Sequence, residues 1–218
     1  MKKIFSFVDY DCFRVIFSNA LPALIWIFLA TRILLSIIFE TKTSALTWLV
    51  IVNRGLFFTY MSMLTLMFVI RKPHKTISKS TLDWFYSMGG TFAPFAFRFI
   101  QTNQGLPVTG ISLQLIGCIM SIVVILNLNR SMGILPANRG IKTGGIYRLV
   151  RHPLYTSYIL VNLGFIFVNP DLYNACIFII AILFQILRLN KEEKLLSKDP
   201  DYEEYSKRVR WKLLPFIY

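Results

Sequence analysis

A chain of 218 residues that is 55% hydrophobic and only 16% charged is too apolar for an ordinary soluble domain, and its mean hydropathy of +0.56 places most of it in lipid. The excess of 24 Lys+Arg over 11 Asp+Glu would suggest a nucleic-acid partner in a soluble protein, but here the basic residues lie between apolar runs. Positive-inside topology and contact with anionic membrane lipids account for that placement, so no nucleic-acid partner is expected.

Residues 1–18 lack the apolar core and small-residue cleavage site of a signal peptide, so the first span is expected to be retained. Residues 19–39 form an apolar run of about 21 residues, enough to cross a hydrocarbon core of roughly 30 Å at about 1.5 Å per residue, with Arg32 its only charge. Residues 45–70 form a second run carrying Asn53 and Arg54, which either face a cavity or bond a neighbouring helix. Arg71, Lys72, Lys75 and Lys79, with no acid among them, mark a cytoplasmic loop. Residues 82–100 make a weaker third span, in which Gly89-Gly90 and Pro94 predict a kink or a break. The uncharged residues 101–109 read as an outer loop, and residues 110–128 as a fourth span returning inward.

Arg130, Arg139, Lys142, Arg148 and Arg151, again without an acid, make residues 129–151 cytoplasmic. Pro153 then opens a helix, where its missing N–H costs nothing. Residues 154–168 and 172–187 are apolar runs joined by Asn169-Pro170-Asp171, an antiparallel helical hairpin that is short for a membrane crossing. Beyond Arg188 the chain turns polar with helical spacing, an amphipathic cytoplasmic tail that lies on the membrane or closes over a site. The reading is one domain: an all-α, polytopic integral membrane protein of five to six transmembrane helices, both termini cytoplasmic. Cys12, Cys118 and Cys176 are odd in number and far apart, which gives neither a disulfide framework nor a zinc spacing, and no metal is expected.

Residues 143–155 crowd together two glycines, two arginines, one of the two histidines and two tyrosines just before an apolar run. The hairpin brings Arg188, Glu192 and Glu193 back to the same face of the membrane. Arg188 and Glu192 stand at i and i+4, so they either point into one pocket or form an ordinary ion pair at a helix end.

The order Thr-Gly-Gly-Ile-Tyr (143–147), Arg-His-Pro-Leu-Tyr (151–155), an apolar hairpin with Asn-Pro at its turn, Arg-x-x-x-Glu-Glu (188–193), Asp-Tyr-Glu-Glu-Tyr-Ser-Lys-Arg-Val (201–209) and Leu-Leu-Pro-Phe-Ile (213–217) resembles the isoprenylcysteine carboxyl methyltransferase family. The resemblance covers roughly residues 129–217. It implies an integral membrane enzyme that takes a methyl group from S-adenosyl-L-methionine, with residues 129–218 as the cofactor-binding catalytic part and residues 1–128 as the acceptor side. It further implies that Arg139, Gly140, Ile141 and Lys142 line the cofactor through their backbone and that Tyr147 packs on it. His152, Pro153, Leu154 and Tyr155 would wall its methionine and adenosine parts, Glu192 would bind one of its polar groups, and Arg188 would be the catalytic residue facing the acceptor. The residue types suit this: aromatic faces attract a sulfonium, glycines admit close backbone approach, and an arginine holds a carboxylate by two hydrogen bonds.

The acceptor implied is a lipid-like or prenylated carboxylate, with lipid amines, acids and phenols as alternatives. A hydroxyl or amine acceptor would call for a base, for which His152 and Glu193 stand first. Arg148 and Arg151 are assigned to the membrane surface. Two other readings compete. Residues 151–155 are also similar to the His-Pro-Asn-Tyr element of the NADPH-dependent steroid 5-alpha-reductase and sterol reductase families, although Leu154 replaces the Asn and Thr156-Ser157 its small-acidic pair. A non-enzymatic scaffold with lipid-binding basic loops explains the charge but not His152, Arg188 and Glu192.

Overall fold

The computed structural model describes residues 80–100, 105–128 and 140–218, together with 51–52, 54–59, 62–63, 76–77, 137–138 and positions 24, 27, 28, 31, 34, 35 and 38. Asn53, Arg130 and Arg139 lie outside the described residues. The architecture is helical: α1 (Thr81–Phe92), α2 (Pro107–Leu128), α3 (Pro153–Val168), α4 (Leu172–Leu196) and α5 (Pro200–Arg208). A two-residue antiparallel pairing of β1 (Thr76–Ile77) with β2 (Ala137–Asn138) is the one departure among the described residues.

α2, with 22 residues, and α4, with 25, are long and apolar enough to cross a membrane. α3 has 16 residues, about 24 Å at about 1.5 Å each, which is short for a crossing. α4 runs well past the apolar stretch that ends at Leu187, so Arg188, Glu192 and Glu193 sit on a continuous helix. The third apolar run behaves differently from a span. Its helix stops after 12 residues at Phe92 and gives way to a 3-10 turn at Ala93–Ala96 with Pro94 inside it. Pro94 has no N–H to continue the α-helix, so residues 82–100 are not one membrane-crossing helix.

The irregular backbone that follows is bonded by the hairpin turn. Arg98 N donates to Asn174 Oδ1 at 2.9 Å, Asn174 Nδ2 donates back to Arg98 O at 2.9 Å, and Ile100 N donates to Asn169 Oδ1 at 3.1 Å. Non-helical backbone in an apolar setting needs such partners.

α3 packs along α2, and α4 along α1, while the α3–α4 contact is slighter. Small residues permit the first contact: a Cβ built on Gly110 would come within 2.6 Å of Gly164 O, so both helices need glycine where they cross. Ser121 Oγ donates to Ser157 Oγ at 2.8 Å in the same buried seam. Between α1 and α4, Gln185 Nε2 donates to Gly90 O at 2.8 Å. The outward faces of α2 and α4 leave Ile116, Ile119, Leu126, Ile179 and Leu183 exposed, an apolar belt of the kind that faces lipid.

Asp199 caps α5 by accepting from Asp201 N at 3.0 Å, and Lys207 and Arg208 in the last turn complement its dipole. Tyr202 and Tyr205 are buried, and Tyr205 Oη donates to Tyr147 O at 2.7 Å. These two tyrosines hold α5 against Tyr147 and Glu193.

Candidate active site

The site forms where the two ends of the hairpin meet. Pro153 takes the first position of α3, and His152 before it stays outside helical geometry (φ −127°, ψ 59°), since a residue preceding proline is disfavoured in the helical region. The backbone freed there pairs with the segment after α5. Arg151 N donates to Trp211 O at 2.9 Å, His152 N to Lys212 O at 2.8 Å, and Thr156 Oγ1 to Leu213 O at 2.7 Å.

Glu193 is the hub of the first cluster. His152 Nε2 lies 2.6 Å from Glu193 Oε1, Arg151 Nη1 lies 2.7 Å from Glu193 Oε2, and the Tyr202 hydroxyl donates to Glu193 Oε1. One carboxylate thereby ties together the turn before α3, α4 itself and α5. Burial first, and then the Glu193 carboxylate beside it, push the Tyr202 phenol well above its ordinary range, so it remains a donor. Arg151 is thus an ion-pair partner of Glu193, which corrects its assignment to the membrane surface. Arg148 is exposed.

Tyr155 is the hub of the second cluster. Its hydroxyl donates to Glu192 Oε2 at 2.7 Å, and the Arg188 guanidinium lies 5.2 Å from the centre of its ring, a cation over an aromatic face. Arg188 Nη1 also reaches Thr91 Oγ1 of α1 at 3.4 Å. Arg188 and Tyr155 are 7% and 6% exposed. The i and i+4 side chains therefore converge on Tyr155.

Pro153 and Leu154 are buried in the first turn of α3 beside these clusters. Tyr147 is buried as well. Burial, and after it the Glu192 carboxylate, raise its phenol above the ordinary value. Ile141 packs on the core cluster that holds Tyr147, whereas Gly140 and Lys142 are exposed. This stretch borders α4 through β2, which packs against that helix. Arg139 lies outside the described residues.

Thr91 and Tyr202 are partners that the sequence reading did not single out. Tyr202 lies within the 201–209 motif, three residues before Tyr205, so helical spacing puts both on one face. Thr91 sits in the interrupted third run, where no motif marks it. Among the described residues, no three His, Cys, Asp or Glu side chains gather as a metal site.

No curated protein matches the chain. Residues 110–198, which carry nearly all of α2, the whole of α3 and α4 and the chain on to Lys198, match the model of the isoprenylcysteine carboxyl methyltransferase (ICMT) family.

Proposed function

We propose that this protein is a multi-pass membrane methyltransferase that uses S-adenosyl-L-methionine to methylate a lipid-like carboxylate, with its cofactor site on the cytoplasmic face. The observation that carries the reading is the convergence of Arg188 and Glu192 on Tyr155, whose ring also meets that of His152.

The residues present suit the cofactor. Glu192 spends Oε2 on Tyr155 and offers its other oxygen to an ammonium or hydroxyl. A Cβ built on Gly140 or Gly144 would meet no atom within 4 Å, so backbone there faces open space that a ligand can occupy. Tyr147 and Tyr155 supply aromatic faces for a cation. Glu192, Tyr147, the turn at residues 152–155 and the backbone of residues 139–142 would hold S-adenosylmethionine. When bound, that molecule supplies an electrophilic methyl group on a sulfonium.

Arg188 binds and aims the acceptor. Its guanidinium can hold a carboxylate by two parallel hydrogen bonds and present one oxygen to the methyl carbon. A carboxylate is already a nucleophile, so no residue has to remove a proton. Tyr155 keeps the guanidinium in place by its ring and Glu192 in place by its hydroxyl. The Glu193 cluster fixes His152 and closes α5 over the site, which limits water. The slight α3–α4 contact and the lipid-facing belt suit an acceptor that enters sideways from the bilayer.

The test is transfer of a labelled methyl group from S-adenosylmethionine into a lipid extract by the purified protein. A base-labile lipid ester is the expected product. A base-stable product would point to a nitrogen acceptor and contradict the carboxylate assignment.

A further inference from the structure

We propose that residues 211–218 form a foot that inserts into the headgroup region of an anionic bilayer beside the site, which rests on the membrane placement given above. The segment is folded: Lys212 N and Leu213 N donate to Tyr218 O at 2.9 and 2.8 Å, and the Trp211 and Phe216 rings lie 5.5 Å apart. Yet it turns its apolar side chains outward. Phe216 is 85% exposed and Ile217 76%, with Leu214 and Tyr218 also exposed.

Two attachments fix its height. At one side, Trp211 O and Lys212 O accept from Arg151 N and His152 N, immediately before α3 begins. At the other, Tyr218 Oη donates to Asn190 Oδ1 at 3.2 Å, three residues past the exposed Leu187 where the apolar stretch of α4 ends. Both points lie where the two hairpin helices leave the apolar belt, so Phe216 and Ile217 are level with the membrane interface. Their chemistry matches that depth: Trp and Tyr favour the interface, and neighbouring Arg210 and Lys212 suit lipid phosphates. The exposed residues of α5 just upstream are unlike them. Glu203 pairs with Lys207 and Glu204 with Arg208, a surface made for water. The bilayer is therefore the occupant of the apolar foot, and through the two backbone bonds it steadies the Arg151–His152 turn.

The full chain, with its three cysteines replaced, is reconstituted in mixed phosphatidylcholine and phosphatidylglycerol vesicles. Bimane is attached at Phe216→Cys, at Lys207→Cys as the water control and at Leu183→Cys as the lipid control. Brominated phospholipids are expected to quench the label at Phe216→Cys several-fold more than at Lys207→Cys. Quenching at Leu183→Cys with none at Phe216→Cys would overturn the foot alone, leaving its surface for a protein partner or a second copy. No quenching at either would overturn the membrane placement as well. In a label-free arm, Phe216→Glu with Ile217→Glu is expected to lower the melting temperature of the reconstituted protein; an unchanged value would contradict insertion. None of these readouts depends on methyl transfer, so their failure and that of the proposed activity are separable.

Discussion

Tyr155 and Glu192 meet across the hairpin, hydroxyl to carboxylate at 2.7 Å, while the ring of the same tyrosine lies beneath Arg188. One side chain of α3 thus positions both α4 residues on which cofactor and acceptor would depend. Tyr155→Phe keeps the ring and removes the donor. A hydrogen bond to a charged group contributes about 1.5–3 kcal/mol, so affinity for S-adenosylhomocysteine is expected to fall about tenfold or more and the melting temperature to fall with it. Calorimetry on detergent-solubilised protein reads the first, and thermal unfolding the second.

Arg188→Lys preserves the charge but loses the planar two-pronged donor. Turnover is expected to drop by about a hundredfold or more, roughly the cost of losing one transition-state donor, while S-adenosylhomocysteine binding is retained. If Arg188→Lys lost cofactor binding and kept turnover, the roles given to Arg188 and Glu192 would be exchanged.

Glu193→Ala strips three partners at once, Arg151, His152 and Tyr202. Removing one member of a half-buried charge cluster costs about 3–5 kcal/mol, and a large fall in melting temperature is expected. Tyr202→Phe removes one donor only and should cost about 1–3 kcal/mol. Limited proteolysis of α5 gives a second readout, since that helix would loosen in both variants.

Alkaline pH should weaken the tail. Burial raises the phenols of Tyr202 and Tyr205 above their ordinary value. A raised folded-state pKa gives stability that is fully present below the unfolded value of about 10 and is lost as pH rises beyond it. Unfolding followed across that range should show the loss, and Tyr202→Phe should blunt it.

Gly110→Val would drive a side chain into the carbonyl of Gly164, 2.6 Å from the first added carbon. Overpacking of this kind costs about 1–3 kcal/mol. The variant is expected to lower the melting temperature while leaving the Tyr155 cluster, and so ligand affinity in the folded fraction, intact.

The helical hairpin and the meeting of residues 151–155 with residues 188–193 are legible in the sequence because they follow from local signals. Pro153 starts a helix, Asn169-Pro170-Asp171 turns it, and apolar runs of similar length bring the chain back. The break near Pro94 is legible too, but not its result, because the irregular backbone at Arg98 and Ile100 beyond it is bonded by Asn174 and Asn169, distant in sequence. The same limit hides Arg151: a basic residue in a basic loop resembles a snorkelling surface arginine until Glu193 is placed 2.7 Å away. Thr91 is read only from tertiary contact. The β1–β2 pairing spans two residues, too short for any period-two pattern to announce it.

The central claim, that Glu192 with the turn at residues 152–155 binds S-adenosylmethionine, is tested most directly by titrating S-adenosylhomocysteine into the detergent-solubilised protein and its Glu192→Ala variant. Saturable binding by the native chain and its loss in Glu192→Ala is the result expected. Equal affinity in both, or binding of NADPH in place of S-adenosylhomocysteine, would contradict it.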